Sequence, residues 1–326
     1  MADAADGLNV TIQYCMPLPR HMLESSKHQA VTNARASGDY HPGQGNWQVG
    51  LSSLFYWALG VQPSKDDWWS TQTQPGAPYG DKPTEPNYVL QAIVVALSTG
   101  PNGPSDGLGF TNASLVLSTV RADGVTLKPD RPATTMDAAL ARVFSGSGAV
   151  PDVRSTWTAY AGHAYRWHHI LAAQLGEDFV CALSDLGPPG AAPAFAVFDA
   201  FAAAPGAGPL AVLPAANPRG ALMVPAGQGQ PSAPAAAHAI RHLLVVPQLP
   251  GGWWLLGEAG KIVPMSKQRV GALAILGDGF AAAVQVVPGE RVAFLVAAAD
   301  GALKEVACTA APLATLTCTK GACSCA

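Results

Sequence analysis

The sequence predicts an α/β segment built on a parallel sheet, followed by an antiparallel, sandwich-like β domain. Three observations lead there. Over residues 8–130, strand-like runs alternate with helix-like runs, and the most chemically interesting polar residues fall just after the strands. From residue 151 onward, short β-branched and aromatic runs are separated by Gly/Pro turns, the pattern of antiparallel sheets. Between the two, Lys128-Pro129-Asp130-Arg131-Pro132 reads as a rigid connector that leads into a linker over 131–150.

The elements follow in order. Residues 1–7 are Ala/Asp-rich and read as a disordered leader. Residues 8–15 read as a strand, because Val10, Ile12 and Tyr14 alternate with polar neighbours and Pro17 and Pro19 stop the run. Residues 19–29 are polar and helix-compatible, and 30–36 form the next strand. Residues 47–60 carry apolar side chains at helical spacing and end on Gly60, as a helix stop prefers. A short strand is expected at 66–70, after Pro63. A strongly apolar helix follows at 87–97, with Pro83 and Pro86 ahead of it. Residues 98–106 read as a strand end or loop, and 112–120 as a helix closed by Ala122-Asp123-Gly124. The order is β-α repeated four times, and in such sheets ligands bind beyond the C-terminal ends of the strands. In the second region, strands are expected at 179–183, 195–198, 243–246, 253–257, 270–276, 281–287, 292–298 and 305–309. The β-sandwich is bounded at 151–307, with a Pro/Ala/Gly-rich insertion at 187–237 and a Cys-containing tail at 308–326.

Composition narrows the function classes. The chain is 49% hydrophobic and 13% charged, so it can bury a sizeable core. A net charge of −3 and the lack of a Lys/Arg-rich run argue against a nucleic-acid partner. No apolar run approaches the ~18 residues of a membrane span, so no membrane span is expected. The N-terminus lacks the basic start and apolar core of a signal peptide, so the compartment is left open. Cys308, Cys318, Cys323 and Cys325 cluster near the end, whereas Cys15 and Cys181 stand alone. Without C-x-x-C spacing, a disulfide or a disordered tail is favoured over zinc. His163, His168 and His169 lack both helical ligand spacing and an interleaved carboxylate. Packing at the domain junction is the expected role for them rather than metal binding.

The chemistry candidates centre on Arg35-Ala36-Ser37-Gly38-Asp39. A charged pair at the end of a buried strand costs solvation energy, and Gly38 would let the backbone turn there. Asp39 reads as a proton donor and Arg35 as a residue that holds a sugar hydroxyl, set against a plain Arg–Asp pair closing a surface loop. Lys65-Asp66-Asp67-Trp68-Trp69 places acids beside indoles, a combination suited to carbohydrate. There, Asp67 and Trp68 are the subsite candidates, against a core role for the two Trp. Asp106 is either a polar contact or the N-cap of the helix after it. The sequence has no G-x-S-x-G, H-E-x-x-H, P-loop or dinucleotide fingerprint.

Four runs carry a resemblance: Q-Y-C-M-P-L-P-R-H at 13–21, A-V-T-N-A-R-A-S-G-D-Y-H-P at 30–42, A-L-S-T-G-P-N-G-P-S-D at 96–106 and L-K-P-D-R-P-A-T at 127–134. Together they resemble the α-galactosidase-like glycoside hydrolases, in particular the raffinose synthase and seed-imbibition group of alkaline α-galactosidases. The resemblance is good over residues 8–137 and loose after that. It implies the C-terminal half of a (β/α)8 TIM barrel, strands five to eight over residues 8–130, followed by the β-sandwich. It implies that Asp39 is the acid/base, that Arg35 orients the sugar, and that Cys15, Asp67, Trp68 and Asp106 line the substrate site. The substrate would be an α-galactoside or oligosaccharide, with hydrolysis or galactosyl transfer by retaining double displacement and no metal or organic cofactor. Met16 and Trp69 depart from the family pattern at sugar-contacting positions. The K-x-D nucleophile of strand four does not precede Leu8, so the chain is expected to be incomplete as an enzyme. The alternative is a non-catalytic protein: a pseudoenzyme, or a sugar-binding remnant whose open barrel edges invite self-association.

Overall fold

The computed structural model describes residues 1–43, 49, 52–75, 84–145, 150–226, 238–298 and 301–326. The described chain divides into two units, one of residues 1–119 with 131–134, the other of residues 120–130, 135–226 and 238–326.

The first unit holds α1 (Ala2–Leu8), β1 (Ile12–Tyr14), α2 (Pro19–Ser25), β2 (Val31–Arg35), α3 (Ser52–Ala58), β3 (Gln62–Ser64), α4 (Tyr88–Leu97) and α5 (Ala113–Leu117). Its sheet runs β1-β2-β3 and is parallel throughout, with Gln13 beside Asn33 and Asn33 beside Gln62. A further parallel bridge joins Trp68 to Pro104. The expected β-α alternation is therefore present, but the sheet is open and no closed barrel is formed among the described residues.

Two expectations are corrected here. The leader is not disordered but forms α1, closed by Asn9 in the left-handed conformation, and Asp6 Oδ1 accepts from the Ala30 amide at 2.5 Å. The third strand lies before residues 66–70, because Pro63 does not break it. Among the described residues β3 is an edge strand of the sheet, where no further strand needs the missing N–H. The expected helix at 47–60 is seen as α3, while residues 47, 48, 50 and 51 lie outside the described residues.

Met22, Val31, Ala34, Tyr56 and Val61 form the core between the sheet and its helices. All ten residues of α4 are buried, as expected of a helix that is apolar all round. The loop before Pro104 lies hard against the end of β3. A Cβ on Gly100 would fall 2.4 Å from the Pro63 carbonyl oxygen, so only glycine fits.

The expected linker at 131–150 contains structure: a two-residue strand β4 (Thr134–Thr135) and helix α6 (Asp137–Phe144). The second unit is then almost wholly antiparallel: β5 (Asp152–Tyr160), β6 (Tyr165–Ala173), β7 (Phe179–Ala182), β8 (Ala194–Asp199), β9 (Ala211–Pro214), β10 (Ala221–Val224), β11 (Ile240–Leu249), β12 (Trp253–Glu258), β13 (Val270–Leu276), β14 (Gly279–Gln285), β15 (Val292–Ala297), β16 (Leu303–Cys308), β17 (Leu313–Thr319) and β18 (Ala322–Cys325). One sheet runs β16-β15-β12-β11-β6-β5, with β8 also on β11 and β9 on β8. A second sheet runs β13-β14-β17-β18, and β7 pairs with β10. Side chains of both larger sheets share one core, among them Phe195, Phe198, Trp253, Phe280 and Phe294. The arrangement is sandwich-like, as the Gly/Pro-punctuated runs predict.

Part of the 187–237 insertion is regular, since β8, β9 and β10 fall within it, whereas residues 227–237 lie outside the described residues. The tail is not disordered. β17 and β18 continue the second sheet, and bridges join Cys308 to Cys325 and Cys318 to Cys323.

Two polar clusters are built into the second unit's core. Arg269 is fully buried; its Nε donates to Glu258 Oε2 at 2.6 Å and its Nη2 to Glu290 Oε1 at 2.6 Å. His169 of β6 and His242 of β11 stack with ring centroids 5.4 Å apart, Nδ1 of the first lying 3.1 Å from Nε2 of the second. One ring must donate and the other accept, which requires the facing nitrogens to share a single proton.

Candidate functional site

β1 and β2 end on the same side of their parallel sheet, and the segments leaving them frame a cleft of about 410 Å³. Cys15 and Met16 come from the end of β1, and Arg35 to Asp39 from the end of β2; Tyr56 of α3 closes one wall. Strand alternation and the parallel register therefore bring together side chains twenty residues apart in sequence.

Arg35 is the centre of the cleft's charge. Its side chain is 7% exposed, and Nη2 lies 2.6 Å from Asp39 Oδ1 while Nη1 lies 3.1 Å from Asp66 Oδ2. Burial works against the guanidinium charge, but Asp66 and Asp39 outweigh it and hold Arg35 firmly protonated. Asp39 is 53% exposed, so its carboxylate stays accessible from the cleft. Gly38 takes no left-handed conformation and an added Cβ would meet nothing within 4 Å, so the turn does not depend on glycine there. Cys15 is an exposed free thiol on the opposite lip.

The other sequence candidates stand outside this cleft. Trp68 is fully buried, and its indole N–H donates to Asn102 Oδ1 at 2.8 Å. It offers no open ring face for a sugar; it packs the first unit instead. Trp68→Ala is expected to cost about 3–5 kcal/mol in denaturant unfolding, without a selective effect on the cleft. Asp67 is half-buried, and burial raises its carboxyl above the usual range against an opposing hydrogen bond from Ser105. Asp106 accepts from the Ser70 amide and hydroxyl at 2.8 and 2.6 Å and from Gln74, clamping two loops. It is not the N-cap of α5; Asn112 fills that place, accepting from the Leu115 amide. His168 and His169 lie within β6, and His163 is exposed in the turn before it. Among the described residues, no group of three or more His, Cys, Asp or Glu side chains is placed to hold a metal ion.

Four residues at or behind the cleft are given no site role of their own by the sequence, although Lys65 and Asp66 fall within the run that suits carbohydrate. Asp66 pairs with Arg35 and accepts the Tyr40 amide at 2.8 Å. Tyr40 donates its phenol to Glu85 Oε2 at 3.0 Å, and the buried Lys65 ammonium sits 4.5 Å from the Tyr40 ring centroid. Burial pushes the Lys65 amine down to about 8, against the pull of Asp67, Asp66 and Glu85. The acidic run at 65–67 carried a signal for Asp66; for Glu85, 50 residues beyond Arg35, no spacing could.

No family model matches the sequence, and no curated protein matches it at significant similarity. Among the described residues, no helix is long and apolar enough to cross a membrane.

Proposed function

We propose that the cleft binds a neutral glycoside, in the first place an α-galactoside, with Asp39 as the group that exchanges a proton with the glycosidic oxygen and Arg35 as the residue that orients it. One observation carries this reading: an accessible carboxylate is held at 2.6 Å by a buried guanidinium, in a cleft beyond the C-terminal ends of parallel strands. The motif likeness to α-galactosidase-like hydrolases supports the choice of sugar. Charge supports neutrality, since Arg35 is already balanced by two carboxylates and has no spare charge for a phosphate or carboxylate ligand.

Retaining hydrolysis needs a second carboxyl group about 5–5.5 Å from the first. Asp66 is the other carboxylate at Arg35, but its Oδ2 is already engaged by the Arg35 guanidinium and the Tyr40 N–H, so it is not assigned as the nucleophile. A second reading, sugar binding without turnover, is favoured by the Arg35–Asp39 ion pair itself. An ionised Asp39 accepts hydroxyl hydrogen bonds readily but has no proton to give a leaving group.

One set of measurements separates the two. The full chain is titrated calorimetrically with galactose and raffinose and assayed with p-nitrophenyl α-galactoside. Binding is expected, weakened about tenfold or more in Arg35→Met and Asp39→Asn. Hydrolysis lost in Asp39→Asn establishes the enzyme. Binding without hydrolysis establishes the second reading, and neither binding nor hydrolysis removes both.

A further inference from the structure

Behind the cleft lies a group of buried ionisable side chains that the proposed chemistry does not use. Glu85 has no exposed surface. Its Oε2 accepts from Tyr40 Oη at 3.0 Å, from the Gly43 amide at 3.3 Å and from Gln91 Nε2 at 3.3 Å, while Oε1 accepts from the Asn87 amide at 2.8 Å. These donors come from two places: the loop that follows Asp39, and the start of α4. Lys65, packed over the Tyr40 ring, supplies the nearby positive charge that a buried carboxylate requires.

From Glu85 the contacts run on without a break. Tyr40 is anchored at its phenol by Glu85, and its backbone N–H holds Asp66 Oδ2. That same oxygen holds Arg35 Nη1, and Arg35 Nη2 holds Asp39. Asp66 is held from a second side as well, its backbone N–H donating to Ser37 Oγ at 2.8 Å. Tyr40 is also the residue next to Asp39 in sequence, so fixing one fixes the backbone of the other.

We infer that Tyr40 and Glu85 are positioning residues for the Arg35–Asp39 pair: the buried carboxylate pins the phenol, and the phenol sets the geometry in which Asp66 and Asp39 grip opposite ends of one guanidinium. Neither residue lines the cleft, so neither touches a ligand there. The inference deepens the sugar reading and rests on it for functional meaning, but its structural content can be read without any sugar. A buried network of this kind favours one arrangement of the groups it ends on, even though Arg35 Nε and Gln91 Oε1 are left without a hydrogen-bond partner.

The test uses nitrogen-15 NMR of the arginine side chains in the full chain. A guanidinium gripped at both ends rotates slowly, so Arg35 should show separate Nη signals in the wild type. Tyr40→Phe and Glu85→Gln are expected to merge or broaden that pair of signals. Ile93→Val, a conservative change within the wholly buried α4, is the control for general loosening; it should leave them separate. Thermal unfolding of all three variants is recorded alongside, so that any loss of the split is compared at known stability. Unchanged Arg35 signals in both network variants, or an equal collapse in Ile93→Val, would overturn the inference. Galactoside titration of the wild type is the separate arm: a chain that binds no galactoside but loses the Arg35 split in Tyr40→Phe sinks the sugar reading and leaves the positioning role standing.

Discussion

Lowering the pH from 7 to 4 is expected to remove about 3 kcal/mol of stability from the second unit through His242 alone. Burial pushes the His242 imidazole down to about 4, and burial together with the neighbouring imidazoles of His242 and His168 holds His169 well below the ordinary range. The sign follows from which state takes up protons. Above the unfolded value near 6.5, both states are neutral and the pair contributes no pH dependence. Below it, the unfolded chain protonates while the folded chain does not, so stability falls steadily until the pH nears 4. Both rings are fully buried, so solvent does not soften the effect. Denaturant unfolding at a series of pH values measures it, and His242→Leu separates the pair from the carboxylates that also protonate in acid. A slope that persists undiminished in His242→Leu would show that the pair is not its source.

The second large effect concerns Arg269. The guanidinium is fully buried and binds Glu258 through Nε and Nη2 and Glu290 through Nη1 and Nη2. Its Nη1 also reaches the Gln285 carbonyl, which ties the start of β13 to the end of β14. Removing one partner from a buried ion cluster leaves the others charged and dry, which typically costs 3–5 kcal/mol or about that. Arg269→Met is therefore expected to destabilise the chain by about 3–5 kcal/mol in denaturant unfolding. Neutralising the stranded acids as well, with Glu258→Gln and Glu290→Gln, should recover part of the loss. A loss under about 1 kcal/mol would mean that water reaches the cluster and screens it.

The sequence signals that worked were periodic or punctuated. Alternation at Ile12 and Tyr14 placed β1, which is shorter than the expected 8–15, the run at 30–36 placed β2, and the Gly and Pro residues around 251–290 placed β12 to β14 within a residue or two. The long strands β5 and β6 went unread because they bury polar side chains. Thr156, Thr158, His168 and His169 are buried at strand positions that are read from sequence only when an apolar side chain fills them. The tail strands were hidden by their cysteines, whose pairing follows from tertiary structure and not from spacing. At the site, Arg35 and Asp39 were legible because four residues of sequence separate them. Trp68 was misjudged because burial, not composition, decides whether an indole has a free face. Glu85 and Tyr40 reach each other across 45 residues, through contacts that only the folded chain creates.

The strand β18 has a consequence for how the second unit responds to reduction. Ala326 exchanges both backbone hydrogen bonds with Thr315, and Cys325 is bridged to Cys308 on another strand. The strand is thus held twice, by pairing along one edge and by a covalent link to β16 in the other sheet. Reduction of the two bridges removes the cross-links and leaves only the strand pairing to hold β18, so the redox state of the surroundings sets how firmly this edge of the sheet is anchored.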